Sequence, residues 1–411
     1  MYKTLRSPSL SLSSNGSYLI RDGKPFFWLA DTWWYGMTSR LSIPIFEKLA
    51  KLRAKQGFSV IQIVVGIPPE TQNYDMPLDK TYFEEVEKKL NILWENNLVP
   101  CIVGGWGHHI DILGEARIKT LWEQILVLVK NKPAVLCLCG EADIFLRRLR
   151  FFKKLLLKNR LRKWERIARF IKEGDREHLL TVHIHSQTSS QKLFRNPDWL
   201  SIDSIQSGHS KDSIPFMVNS ILKSKKMIIN LEPWYEGILG NFNDYYQRVA
   251  FWLCVLSGAK GHSYGAHGIW QMADNDGFMM HWGNSSWKEA INFPGAVQLG
   301  KSVKFLQNYD WWKMSPDFTI VNPPWSSNSP YNPVAATVGK EYIFVYFPDI
   351  LTEAKFSITL PSDREMFDIL WIDPQTLTII KAEKYKGKLF HVEFPKDVNS
   401  KDILCILSPV L

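Results

Sequence analysis

The sequence predicts an α/β protein: a (β/α)8 barrel followed by a small antiparallel β-sandwich. Three observations carry this. Eight short, near-continuously apolar runs alternate with stretches of 3.6-residue periodicity over about 250 residues, the count and length of a barrel. No strand leads into a GxGxxG or GxxxxGK[ST] loop, so a nucleotide-binding open sheet is not supported. Beyond residue 315 the pattern changes to short alternating runs with turn residues between them.

The barrel strands are read as 26–32, 59–67, 99–106, 134–143, 179–185, 201–209, 227–236 and 259–270. Their apolar, β-branched character suits strands buried on both faces. Helical periodicity falls at 44–56, 81–97, 116–130, 158–173, 213–223 and 243–257. Residues 316–333, rich in Pro, Asn and Ser, read as a linker or loop. After it come EYIFVYFP, KFSITLP, FDILWIDP, LTIIKA, KLFHVEFP and DILCILSP, the strands of the sandwich. The expected division is therefore a barrel with a short N-terminal β segment over 1–315 and the sandwich over 316–411.

Composition bounds the function. With 411 residues, 45% hydrophobic and 22% charged, the chain can bury a sizeable core without disulfides or metals. Its five cysteines form no CxxC pair, which argues against a zinc ribbon and for a reducing compartment. The opening MYKTLRSPSLSLSSNG lacks an apolar h-region, so the expectation is a cytoplasmic protein. Seventeen tryptophans suit either sugar stacking or core filling. The charge of +9 is concentrated: residues 147–172 hold twelve Lys or Arg and one acid, leaving the rest slightly negative. This segment reads either as an ordinary barrel helix with a solvated basic face or as a basic amphipathic surface. The second suits peripheral contact with an anionic membrane, at the inner face, or with a polyanion. No nucleic-acid module accompanies it.

Barrel active sites lie at the C-terminal strand ends. Those ends carry carboxylates, imidazoles and indoles. Glu141 closes CLCGE and Glu232 closes MIINLE, where an unpaired carboxylate would be costly. Strands 4 and 7 stand nearly opposite in an eight-strand ring. Two carboxylates converging there suit glycosidic cleavage, one protonating the leaving oxygen and the other attacking or stabilising the oxocarbenium-like centre. The structural alternative is an ion pair with Arg248 or Lys260. Trp33, Trp106, His183, Gln206, Tyr235, Tyr264 and Trp270 are candidates for holding a sugar, and Asp31 either does so or fixes the Trp33 turn. His183 and His185 form HxH, but alternation turns only one of them into the barrel, and the first strand has no histidine to complete a metal set. No metal and no organic cofactor is expected. ADNDGF at 273–278 lacks the full calcium-loop spacing, and no GxSxG supports a serine esterase.

The blocks DGKPFFWLADTWW, AKQGFSVIQI, GDREHLLTVH, EPWYEG and GHSYGAHGIWQ, in this order, resemble the apiosidase-like glycoside hydrolases, family 140 and its relatives. WIDPQT in the tail resembles the small β-sandwich that follows their barrel. The resemblance spans roughly residues 15 to 300. It implies a (β/α)8 barrel and a retaining glycosidase acting on an oligo- or polysaccharide. It places an acid/base carboxylate at the strand 4 end and a nucleophilic Glu in the EPxYEG block, which fall on Glu141 and Glu232. Where the family usually reads Gly-Gly-Asp, this chain has Cys139-Gly140-Glu141, setting the carboxyl one methylene further out. A retaining mechanism requires the carboxyls about 5–5.5 Å apart. Glu141 is expected to have a raised pKa in the resting site, from burial and from charged Glu232. A non-catalytic glycan-binding barrel, or a membrane-surface protein acting through 147–172, is the alternative.

Overall fold

Strands that are apolar on both faces need cover on both sides, and closing the sheet into a ring supplies it. The computed structural model describes residues 10–69, 79–144, 153–274, 276–361 and 364–410. Its eight parallel barrel strands are β1 (Trp28–Trp33), β2 (Val60–Val64), β3 (Val99–Val103), β4 (Val135–Cys137), β5 (Leu179–Thr181), β6 (Asp203–Gln206), β7 (Ile228–Glu232) and β8 (Gly261–Tyr264). Pairing runs β8-β1-β2-β3-β4-β5, with β6-β7 as a second run. A few backbone contacts outside these strands complete the circle. Ser201 N donates to Leu180 O between β5 and β6, and Glu236 N donates to Gly265 O between β7 and β8, each at 2.8 Å. A three-stranded antiparallel segment, Leu10–Leu12, Leu19–Arg21 and Lys24–Phe26, precedes the ring.

The six expected helices are present as α1 (Ile43–Gln56), α2 (Lys80–Glu95), α3 (His109–Val129), α4 (Lys153–Gly174), α5 (Ile214–Lys223) and α6 (Asp244–Leu256). The sequence reading missed a seventh, α7 (Pro294–Leu306). Its glycines weaken the periodic signal, yet Gly300 is needed. A Cβ there would come within 1.6 Å of Gln56 O at the end of α1. After β5 the helix is reduced to one turn, Ser190–Leu193.

The basic segment is in part an ordinary barrel helix. Trp164, Ile167, Ala168 and Ile171 of α4 are buried. Arg160 and Lys163 pair with Asp111 of α3 at 2.6 and 3.2 Å, and Arg166 pairs with Glu115 at 2.5 Å. Residues 145–152, with Arg147, Arg148 and Arg150, lie outside the described residues.

Beyond the barrel, nine strands form two antiparallel sheets. The larger has the order Met314–Pro316, Val334–Val338, Tyr342–Phe347, Ile403–Pro409, Met366–Ile372, Ile379–Lys386. The smaller joins Val321–Asn322, Ser357–Thr359 and Leu389–His391. All six strands read from the sequence are there. Val334–Val338, with small Ala335 and Ala336, was not recognised. Period-two alternation gives the large sheet two buried faces. Ala336, Phe344, Tyr346, Leu404 and Ile406 join the barrel's core, whereas Ala335, Val345, Ile369 and Cys405 pack beneath the smaller sheet. Arg248 of α6 reaches across to Asp402 with Nη2–Oδ1 at 2.8 Å and Nε–Oδ2 at 3.0 Å. Tyr346 donates to the same carboxylate. No helix among the described residues is long and apolar enough to cross a membrane.

His262 on β8 is fully buried beside Phe251, and neither ring nitrogen has a hydrogen-bond partner. Burial pushes its pKa down to about 3. The folded state therefore holds it neutral, and the unfolded chain binds the extra proton below about 6.5. Its contribution is complete above that value and is lost as the pH falls toward 3. His262→Leu should raise stability near neutrality by about 1–2 kcal/mol and flatten the acid slope of urea unfolding by one proton. An unchanged slope would contradict the assignment.

Candidate active site

Glu141 lies past the end of β4, in backbone that L-residues rarely adopt, at φ 44°. Such a conformation costs of order 1–3 kcal/mol and persists only where its surroundings over-determine it. Here they do. Glu141 N donates to His183 Nδ1 at 3.1 Å, and Gly140 N donates to Gly105 O. A Cβ on Gly140 would lie 2.2 Å from the Trp106 ring, so the glycine lets that ring close over the turn. Trp106 Nε1 then donates to Glu141 Oε2 at 3.1 Å.

Glu232 ends β7, where the pairing with β6 slips between Asn230 and Glu232. Strict alternation would point both residues the same way. The slip pairs Asn230 with Ile205 and Glu232 with Gln206, so the extra residue, Leu231, re-aims the carboxylate into the ring. Asn230 instead bonds Ser207 and lies against Cys254 of α6.

The two carboxylates meet at one amide. Gln206 Nε2 lies 3.0 Å from Glu141 Oε1 and 2.8 Å from Glu232 Oε1. Both side chains are largely shielded, at 12% and 9% exposure. His183 Nδ1 accepts from the Glu141 backbone, and its Nε2, which makes no hydrogen bond, lies 3.4 Å from Glu232 Oε2. His209 Nε2 stands 3.4 Å from Glu232 Oε1. Trp34 packs edge-on to Trp106 at 5.4 Å and lies 5.7 Å from His183. Tyr235 lies tilted beside His209 at 4.8 Å and 6.5 Å from Trp270. Neither Glu141 nor Glu232 is paired with Arg248 or Lys260. Arg248 serves Asp402 and Asp244, and Lys260 donates to Met314 O.

Of the ten residues singled out from sequence, seven gather here: Glu141, Glu232, Trp106, His183, Gln206, Tyr235 and Trp270. Asp31, Trp33 and Tyr264 do not. They sit behind the wall, in the helix layer. Asp31 Oδ2 accepts from Arg53 Nε of α1 at 2.6 Å and from Trp33 Nε1 at 2.7 Å. Trp33 packs on Phe46 of α1. Tyr264 donates to Glu236 at 2.7 Å. The reason is parity: if Asp31 and Trp33 face out, Thr32 and Trp34 face in, and Trp34 is the indole beside Trp106 and His183. His185 and His209 also belong to the cluster. Alternation excluded one histidine of HxH, but regular strand ends at Thr181 and both reach the site. Glu236, the second glutamate of EPWYEG, turns away to Tyr264 and Gly295 N, and burial pushes it up to about 7.

The expected raised pKa of Glu141 is not what the site produces. Burial works to raise it, but the His185 hydrogen bond, the charge of His185, the nearby His183 ring and the Gln206 amide outweigh burial and hold it below the ordinary carboxylate value. His185, bonded to Glu141 at 2.8 Å, is correspondingly pushed up to about 8.

A closed (β/α)8 ring with two carboxylates and an aromatic wall at its C-terminal mouth defines a glycoside hydrolase. The chain matches the apiosidase-like catalytic domain over residues 13–313 and belongs to that family. It is a glycosidase. No curated protein matches the sequence. Among solved structures, a protein described as a glycoside hydrolase aligns with a TM-score of 0.81 at 20% identity, covering 98% of this chain and 97% of its own. A glycoside hydrolase family 5 protein from Bacteroides vulgatus gives 0.81 at 20%, covering 98% and 93%. An exo-β-1,4-mannosidase from an Opitutaceae bacterium gives 0.54 at 13%, covering 72% and 62%. At these identities the likeness is one of fold.

Asp31→Asn tests the placement of that residue. It leaves the buried Arg53 charge uncompensated, so stability should fall by about 3–5 kcal/mol in urea unfolding, with KM little changed for any glycoside the enzyme cleaves. A raised KM at intact stability would return Asp31 to the sugar site.

Proposed function

We propose that the enzyme cleaves a glycosidic bond of an oligo- or polysaccharide with retention of configuration. Glu232 is the nucleophile and Glu141 the general acid and base. The observation that carries this reading is the Gln206 amide. One nitrogen within hydrogen-bond reach of both carboxylates keeps those two oxygens no more than about 6 Å apart. That is near the ~5–5.5 Å of retaining enzymes and short of the ~6.5–9.5 Å that an inverting water needs.

Glu232 attacks the anomeric carbon while Glu141 gives its proton to the leaving oxygen. Glu141 then takes a proton from the water that releases the sugar from Glu232. The Gln206 amide, which donates to Glu232, and the His183 and His209 rings beside it aim that carboxylate. Trp34, Trp106, Tyr235 and Trp270 form the wall against which the sugar lies. Gln206 Oε1 and Trp270 Nε1 are buried without partners and are suited to sugar hydroxyls. A cytoplasmic location accompanies the proposal, supported by five free, buried thiols. So does contact of α4 with an anionic surface, supported by exposed Lys154, Lys158 and Arg162 beside Leu155 and Leu156.

Incubation with a panel of aryl glycosides and polysaccharides, beside Glu141→Gln and Glu232→Gln, tests the roles. Glu232→Gln should lose at least ~10³-fold in kcat on every substrate. Glu141→Gln should lose least on substrates whose leaving group needs no proton. Activity surviving in Glu232→Gln would mean that the wrong nucleophile is named. For α4, sedimentation with anionic vesicles should weaken as salt rises, and absent or salt-insensitive binding would reject the contact.

A further inference from the structure

The proton that Glu141 must donate has an unusual keeper. His185 Nδ1 lies 2.8 Å from Glu141 Oε1, the oxygen that also receives the Gln206 amide. Its ring is not sealed in the barrel: the side chain is 53% exposed, whereas that of Glu141 is 12% exposed. Its backbone is fixed by the neighbouring carboxylate. Asp143 Oδ1 accepts from His185 N at 2.7 Å, and Oδ2 accepts from Ser186 N at 3.2 Å. So the loop after β5 is tied to the loop after β4, and a solvent-facing imidazole is held on the buried acid.

Resting on the roles given above to Glu141 and Glu232, we propose that His185 is a positioning residue that stores the acid's proton and exchanges it with solvent. In the empty site the pair holds one proton, on His185 Nδ1, with Glu141 as carboxylate. When a sugar displaces water from the mouth, separated charge loses its solvation and the proton moves to Glu141 Oε1, leaving two neutral groups. Glu141 passes that proton to the glycosidic oxygen as the C–O bond breaks, the electron pair leaving with oxygen. It regains one from the attacking water in the second half-reaction. After product leaves, the proton returns to His185.

The surrounding charges favour this storage. Glu141 and Asp143 come from the β4 loop and Glu232 from β7, and all three raise the affinity of His185 for a proton. His183 on the β5 end and His209 on the β6 end face Glu232 rather than His185. Trp106 from β3 covers the other oxygen of Glu141. Without His185 the proton would have to rest on Glu141 alone, against its donors.

Two measurements on the full chain test this. In the first, the His185 ring is titrated by NMR in the wild type and in Glu141→Gln. The midpoint should be near 8 in the wild type and fall toward the ordinary ~6.5 when the carboxylate is removed. The second is the pH profile of kcat for wild type and His185→Gln, on an aryl glycoside that the wild type hydrolyses. The glutamine keeps a donor near Glu141 but carries no exchangeable charge. Its alkaline limb should move down by at least about one pH unit, with several-fold loss at pH 8 and little at pH 5. A uniform fall in kcat with the limb in place would mean an ordinary structural contact and would overturn the proposal. An ordinary, Glu141-independent midpoint would overturn it too. A coupled titration in a protein whose Glu141→Gln variant stays fully active on poor leaving groups, or which hydrolyses nothing on the panel, would sink the roles given to the carboxylates. The relay would go with them, leaving only an ion pair.

Discussion

Two negative carboxylates held within reach of one amide nitrogen are the constraint on which the rest of the mouth depends. At the separation of no more than about 6 Å that the shared amide allows and an effective dielectric near 20, two such charges repel by about 3 kcal/mol, and hydrogen bonds offset it. The groups around them come from separate parts of the ring: Trp106 beyond β3, His183 and His185 beyond β5, Gln206 on β6 and His209 after it. No single strand could supply them. The ring has to close in register for all five to point at the same few cubic ångströms. The local irregularities, the slip on β7 and the left-handed backbone of Glu141, lie where regular strand geometry would have aimed a carboxyl elsewhere.

Behind this mouth the barrel gives several of its buried charged side chains fixed partners. The EPWYEG block shows the contrast within five residues. Glu232 receives the Gln206 amide at the mouth, whereas Glu236 is turned into the helix layer, bonded to Tyr264 and Gly295, and pushed up to about 7. Asp31 and Arg53 close the same layer behind β1. On the far side, Arg248 and Asp402 tie α6 to the large C-terminal sheet, whose inner face continues the barrel's apolar core. A side chain lost from either buried pair leaves its partner's charge stranded, so these contacts specify the arrangement more than they add to stability.

The distribution of protons follows from the same geometry. Glu141 is both buried and well bonded, and bonding wins, because His185 stands on it with its own charge. The sequence reading reached the opposite sign by counting burial and the charge of Glu232 but no imidazole. HxH had been reduced by alternation to one inward histidine, and alternation ends with the strand at Thr181.

The sequence by itself determined the ring, the order of its strands and all six helices read from periodicity, and it singled out the two glutamates that the fold brings to one amide. Each of these is written in local pattern: apolar runs of strand length, 3.6-residue periodicity, and a charged residue closing an apolar run. Even the family resemblance was carried by such blocks. Tertiary structure alone decided which neighbour faces in. Trp34 rather than Trp33 lines the mouth, and Asp31 and Tyr264 serve the helix layer, because period two is absolute only once its phase is known. Phase is set by pairing with strands distant in sequence, and on β7 by one extra residue. The helix Pro294–Leu306 and the strand Val334–Val338 were hidden for a related reason. Their small residues are there to let other elements approach, and what approaches them is decided by the fold.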